Sequence, residues 1–136
     1  MMNLGNTTQL PKIFDPRGNL TFLQFPDQIP FEIKRVFWTY DVPGGEIRGG
    51  HAFHEQQELI IALSGSFDVI ITGKDGQKMR TSLNRSYEAL LLPKLTWRHL
   101  ENFSTNSVAL HITDTEYSAD DYIRDFEFYK TLKISD

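Results

Sequence analysis

Hydrophobic positions along this chain fall in short runs rich in β-branched and aromatic residues, separated by turn-forming residues. From Phe31 to Val42, Ile33, Arg35, Phe37 and Thr39 share one face of an extended strand, and Lys34, Val36, Trp38 and Tyr40 share the other. Glu58 to Leu63 is a short apolar run that reads as a buried strand. Ser64-Gly65-Ser66 turns it into a partner, Phe67 to Thr72. Asp75-Gly76 signals a type I′ turn leading into Gln77 to Leu83. Tyr87 to Leu92, Trp97 to Leu100 and Ser107 to Thr113 complete the strand set. Asp15-Pro16-Arg17-Gly18, Pro43-Gly44-Gly45, Asn84-Arg85-Ser86 and Asn102 to Asn106 punctuate the rest. Such regular spacing predicts an all-β sandwich or barrel. The period changes only at the end. Tyr122, Ile123, Phe126 and Tyr129 form a helical stripe, with Ser118 as cap and Asp120 and Asp121 in the first turn. One C-terminal helix, Ala119 to Leu132, is expected on the outside of the β-domain.

Composition narrows the function classes. With 136 residues, 40% hydrophobic and 24% charged, the expectation is one globular domain spanning residues 1–136. A net charge of −4 disfavours a nucleic-acid partner, while leaving room for a local anion pocket. With no cysteine, disulfide scaffolds, thiolate nucleophiles and cysteine-ligated metal centres are excluded. No apolar run has the length of a membrane span, and the opening MMNLGNTTQL is too polar for a secretory signal, so a cytoplasmic protein without a membrane partner is expected.

The densest chemistry lies between Gly45 and Glu58. The Gly-Gly pairs at 44–45 and 49–50 let the backbone bend and come close to a ligand. His51 and Phe53 share one face of the strand, Ala52 and His54 the other, unless a bulge intervenes. His51 is the candidate base, because an imidazole titrates near neutrality with little tuning; the competing reading is a histidine satisfied inside a β-core. Arg48, Arg17, Arg35 and Arg98 are candidate anion ligands in an acidic chain, and each could instead sit in an ion pair. Trp38, with Phe22 and Trp97, offers a flat apolar face.

Gly45, His51, Glu58 and Gly65 fall on the spacing of the first cupin signature, with Phe53 at the second histidine position. The later region, Leu92 to His99, puts Arg98 where metal-binding cupins carry another histidine. A phenyl ring has no lone pair to give and a guanidinium does not lose its proton. His51 and Glu58 alone are too few ligands, although register slips could recruit His54 and His99; a pocket with no metal and no cofactor is expected. The resemblance narrows further. Asp15-Pro16-Arg17-Gly18, Ile29 to Val36, Arg48-Gly49-Gly50-His51-Ala52, Leu63-Ser64-Gly65-Ser66, Trp97-Arg98 and Asp121-Tyr122-Ile123-Arg124 occur in the order found in the sugar-nucleotide 3,4-ketoisomerases, the WxcM-like metal-free cupins.

That resemblance implies a cupin jelly roll and an isomerase acting on dTDP-4-keto-6-deoxy-D-glucose. It implies a homodimer that exchanges N-terminal strands, and a 3-keto product that an aminotransferase consumes in glycan synthesis. His51 would be the base; Tyr40 and His54 are candidates for the acid; Arg48, Arg17, Arg35, Arg98, Trp38, Phe53 and Glu58 are candidates for substrate binding. Two positions depart from the family pattern: Phe53 replaces an imidazole, and Phe37 stands where the family carries a tyrosine. A related dTDP-sugar epimerase and a non-catalytic sugar-nucleotide-binding cupin therefore stay open as alternatives.

Overall fold

The computed structural model describes residues 7–133. Its strands are β1 (Thr7–Gln9), β2 (Lys12–Ile13), β3 (Leu20–Thr21), β4 (Arg35–Tyr40), β5 (Arg48–Phe53) and β6 (Glu58–Ser64). They continue as β7 (Phe67–Thr72), β8 (Lys78–Leu83), β9 (Glu88–Leu92), β10 (Trp97–Glu101), β11 (Val108–Thr113) and β12 (Tyr122–Ile123), followed by one helix, α1 (Phe126–Thr131). One five-stranded sheet has the order β1-β9-β6-β11-β4 and the second β12-β5-β10-β7-β8, with β2 and β3 as a separate hairpin. All the pairings are antiparallel. The result is the jelly-roll arrangement of a cupin.

Alternation explains the layering. Ile60 and Ala62 of β6, Leu90 and Leu92 of β9 and Ala109 of β11 meet Phe67, Val69, Ile71, Leu83 and Leu100 of the facing sheet in one core. The intervening residues, Leu59, Ile61, Ala89 and Ile112, point outward and are covered by Leu10, Ile29 and Phe31 of the N-terminal segment. Strand β4 lies at an edge of its sheet. Arg35, Phe37 and Thr39 are half-buried on its inner face, and Val36, Trp38 and Tyr40 are exposed on the other.

Two local expectations change. The Asp75-Gly76 loop is not type I′, which requires positive φ at both central residues. Only Gly76 has it, at 86°. The Gly73 carbonyl accepts from the Gly76 N–H at 2.9 Å, and Asp75 Oδ1 accepts from the Gln77 N–H at 3.0 Å, so a side chain closes the turn.

The expected Ala119–Leu132 helix is broken into three pieces. Ala119–Asp121 is one 3₁₀ turn, and Ser118 makes no side-chain cap. Tyr122 and Ile123 pair with Phe53 and Ala52 of β5. Only Phe126–Thr131 is α-helical, capped by Asp125, whose carboxylate accepts from the Glu127 N–H at 2.9 Å. The edge of β5 offers unpaired backbone groups, and satisfying them outweighs the weak helical preference of two residues. Asp121 therefore serves the neighbouring loop: its carboxylate accepts from the Glu55 and Gln56 N–H groups at 2.9 and 3.1 Å. Ile123 and Tyr129 still bury their side chains, against Ala52 and Trp97.

Candidate active site

A cavity of about 370 Å³ opens between the two sheets where β5, β10 and β12 face β4, β6 and β11. Its polar lining consists of Thr39, Arg48, His51, Glu58, Arg98, His111, Tyr122 and Arg124. Phe37, Ile47, Phe53 and Leu100 supply apolar wall.

The Gly49-Gly50 pair shapes this wall. Arg98 pairs with His51, but His99 pairs with Gly49, so β5 carries one extra residue at this point. Gly49 and Gly50 have φ of 103° and 85°, backbone that side chains rarely adopt. A Cβ on Gly49 would also lie 3.1 Å from the His99 Cα. Residues three apart on a regular strand face opposite ways. The bulge turns both Arg48 and His51 into the cavity.

His51 is held by aromatic edges. Its ring lies 4.9 Å from Phe53 and 5.1 Å from Tyr122, both edge-on. Burial, then the nearby Arg98 guanidinium, lower its pKa to about 4. The ring is therefore neutral at pH 7, with a free lone pair.

Beneath it lies a charged cluster. The Glu58 carboxylate is 3.5 Å from Arg98 Nη1 and 3.1 Å from His111 Nδ1, both through Oε1. Its second oxygen accepts from Gln56 Nε2 at 3.2 Å. Burial alone would raise the Glu58 pKa; His111 and Arg98 more than offset this and bring it to about 2. Arg98 is 1% exposed, donates through Nε to the Thr96 carbonyl at 3.0 Å, and lies over the Phe53 ring at 5.0 Å. Its Nη2 is buried with no partner in the protein.

The donor set does not fit a resident metal. Phe53 and Arg98 stand at two of the positions where metal-binding cupins place imidazoles, and neither has a lone pair to offer. Among the described residues, no three His, Asp or Glu side chains converge as a metal-binding group.

The structure brings together His51, Arg48, Arg98, Phe53 and Glu58. It leaves other candidates outside. Tyr40 and Trp38, 60% and 58% exposed, lie on the outer face of β4, because alternation gives the cavity face to Phe37 and Thr39. His54 falls just past the end of β5, its ring 6.5 Å from Phe128 under α1. Arg17 is 90% exposed and paired with Asp15 at 2.9 Å in the loop between β2 and β3. Arg35 flanks the cavity, stacked over Phe37 at 4.5 Å. Trp97 is buried beneath Phe126 and Tyr129, and Phe22 lines a separate groove.

Sequence reasoning passed over His111, Thr39, Tyr122 and Arg124 as site residues. Thr39 was visible on the face it shares with Arg35 and Phe37. Tyr122 and Arg124 were hidden by the helical stripe, and His111 by the apolar strand around it.

Residues 5–134 match the family model FdtA: WxcM-like, C-terminal. The chain belongs to this family. It is 32% identical over 120 residues to the TDP-4-oxo-6-deoxy-alpha-D-glucose-3,4-oxoisomerase of Aneurinibacillus thermoaerophilus, covering 88% of this chain and 85% of that one. Among solved structures, WlaRA, a TDP-fucose-3,4-ketoisomerase from Campylobacter jejuni, superposes with a TM-score of 0.88 at 32% identity, covering 95% of both chains. The H51N mutant of the 3,4-ketoisomerase QdtA from Thermoanaerobacterium thermosaccharolyticum, in complex with TDP-4-keto-6-deoxyglucose, superposes with a TM-score of 0.90 at 28% identity, covering 96% of this chain and 94% of that one.

Proposed function

We propose that this member of the FdtA family is a sugar-nucleotide 3,4-ketoisomerase, converting dTDP-4-keto-6-deoxy-D-glucose into a dTDP-linked 3-keto-6-deoxyhexose. The observation that carries the reading is a neutral imidazole, His51, set into a cavity that it shares with the guanidinium groups of Arg48, Arg98 and Arg124. Family membership and the named activities of its relatives support the same reaction.

The chemistry follows from the site. A 4-keto group acidifies the hydrogen on C3. His51 takes that proton, the C3–H electron pair becomes a C3=C4 double bond, and negative charge develops on O4. Arg98 is the donor for this charge: its unspent Nη2 sits where water is largely excluded, so the interaction is stronger than in bulk solvent. The O3 hydroxyl proton passes to O4, the O3 electron pair closes the C3=O bond, and His51 returns its proton to C4, which completes the 3-ketone. No oxidant is needed, because the electrons move within one molecule. Arg48 and Arg124, exposed at the cavity mouth, are the diphosphate ligands, since a diphosphate takes two or more cations. Phe53 contributes shape and a wall for Arg98 rather than a proton.

The assembly is a homodimer and the location cytoplasmic, where sugar nucleotides are handled. Ile13, Phe14, Leu20, Val36, Trp38, Tyr40 and Leu63 are exposed apolar residues on the N-terminal hairpin and the outer side of the β4 sheet. An uncovered surface of this kind is characteristic of an interface. β1 pairs with β9 of its own chain here, so strand exchange would have a second copy supply that pairing.

Incubation with dTDP-4-keto-6-deoxy-D-glucose in deuterated water tests the reading. An isomerase places deuterium at C3 of the recovered substrate and at C4 of the 3-keto product, an epimerase at C3 and C5, and a silent binder nowhere. His51→Asn keeps the shape and removes the base, and it is expected to lower turnover at least about 10²-fold. Undiminished turnover in that variant would overturn the assignment.

A further inference from the structure

Ketoisomerisation moves two kinds of proton, one between carbons and one between oxygens. His51 accounts for the first. In the family pattern a second imidazole follows two residues later, and here that position is Phe53. The cavity nevertheless contains a second imidazole, His111, reached from the opposite sheet.

His111 is placed with care. On β11 it faces Phe37 of β4, and the two rings stack at 4.4 Å with 4° between their planes. Nδ1 meets Glu58 Oε1 at 3.1 Å, and Nε2 meets the Thr39 hydroxyl at 3.5 Å. A carboxylate only accepts, so Nδ1 carries the hydrogen and Nε2 presents its lone pair. Carboxylate, imidazole and hydroxyl then stand in line, all three lining the cavity. Such an arrangement fixes a tautomer and steadies an imidazolium when it forms.

Packing gives this cluster little reason to exist. Burying a carboxylate costs several kcal/mol before its partners offset the loss, and apolar side chains of similar volume commonly do as well. Glu58 and His111 point inward among Ile60, Ala109 and Leu92, positions that a wholly apolar core would fill. Glu58 is ionised at neutral pH.

Resting on the ketoisomerase reading, we propose that Thr39, His111 and Glu58 form a second proton-handling unit that carries the hydroxyl proton from O3 to O4. His51 removes the C3 proton and leaves an alkoxide on O4. The O3–H bond then breaks, its proton passing to His111 Nε2 directly or through Thr39 Oγ1. Nε2 gives that proton to O4. The electron pair left on O3 closes the C3=O bond, and the C3=C4 pair takes the proton held by His51 at C4. Atoms and electrons balance without a co-reactant. Glu58 does not meet the substrate; it is a positioning residue that acts through His111.

The test separates exchange from isomerisation. The full chain is incubated with dTDP-4-keto-6-deoxy-D-glucose in deuterated water. Deuterium at C3 of the recovered substrate and formation of the 3-keto product are followed together by NMR. His111→Gln is expected to lower product formation about 10²-fold while C3 exchange by His51 persists, so the exchange-to-product ratio rises. Thr39→Val and Glu58→Gln are expected to raise it in the same sense. TDP binding, read by calorimetry, establishes that each variant is folded. A ratio raised in His111→Gln but not in Thr39→Val supports direct transfer at Nε2. Exchange and product falling in parallel in His111→Gln, or neither changing, overturns the proposal and leaves the ketoisomerase reading intact. Should His111→Gln fail to fold, the other two variants decide, and an unchanged ratio in both overturns it. Parent protein that binds TDP yet neither exchanges nor isomerises removes the ketoisomerase reading and this one with it.

Discussion

Arg98 illustrates how much one side chain can carry. Its Nη1 balances Glu58, its Nε ties the Thr96 carbonyl, its plane covers Phe53, and its Nη2 is buried with no partner in the protein. Arg98→Met removes the cation and leaves a buried carboxylate beside a histidine. The expected loss is about 3–5 kcal/mol of stability, measured by urea unfolding, because an orphaned buried charge keeps its full desolvation cost. Pairing this change with Glu58→Gln should recover a good part of the loss, since the uncompensated charge is then gone. Acid acts on the same residues. The folded-state pKa of His51, about 4, lies below its unfolded value of 6.5, so the unfolded chain protonates first as pH falls. Glu58, at about 2 against 4.5, behaves the same way at lower pH. Both effects make stability fall with acidification, through the window from 6.5 to 4 for the histidine and from 4.5 to 2 for the glutamate. Thermal unfolding across this range should show a Tm that drops below pH 6.5, and His51→Asn should flatten the upper part of that slope.

At the scale of elements, the bulge in β5 and the β12 strand paired beside it build one wall of the cavity. Gly49→Ala forces a Cβ toward the His99 Cα and into a backbone conformation that strains it. About 1–3 kcal/mol of destabilisation is expected, together with weaker TDP binding, because relaxing the bulge turns Arg48 away. Gly44→Ala is the natural control, since its Cβ would meet nothing within 4 Å and its φ is not in the left-handed region. The helix works more indirectly. Asp125 caps it, Tyr129 donates from its hydroxyl to the Leu95 carbonyl at 2.9 Å, and Trp97 is sealed beneath both aromatic rings. Asp125→Ala should cost about 1 kcal/mol, the usual worth of an N-cap, without changing turnover at saturating substrate.

The chain carries a net charge of −4, and three of its guanidinium groups, those of Arg48, Arg98 and Arg124, line one cavity. Its apolar excess lies elsewhere, on the outer side of the β4 sheet and the N-terminal hairpin. Among the described residues, no helix is long and apolar enough to cross a membrane. The proposed dimer predicts a solution mass twice that of the chain in analytical ultracentrifugation. Trp38→Arg with Leu63→Arg should shift it toward monomer, because two desolvated charges would face their own copies across the symmetry axis. A monomeric parent protein would refute the assembly while leaving the site chemistry standing.

Turn residues and apolar runs determined most of the strands; Arg35 to Tyr40 shows the period of two that leaves one face for the core, whereas Phe67 to Thr72 is buried throughout and was located by the Ser64-Gly65-Ser66 turn before it. Local spacing also located His51, Glu58 and the glycines around them, because these residues lie close together in the chain. Tertiary structure decided what such spacing cannot encode. Tyr122 and Ile123 abandoned a helical pattern because a distant strand edge needed hydrogen bonds. Arg48 and His51 came to share a cavity because an irregularity rotates the strand between them. Glu58 met His111, 53 positions away, because β6 and β11 are neighbours in one sheet, and proximity across a sheet is set by strand order rather than by distance along the chain.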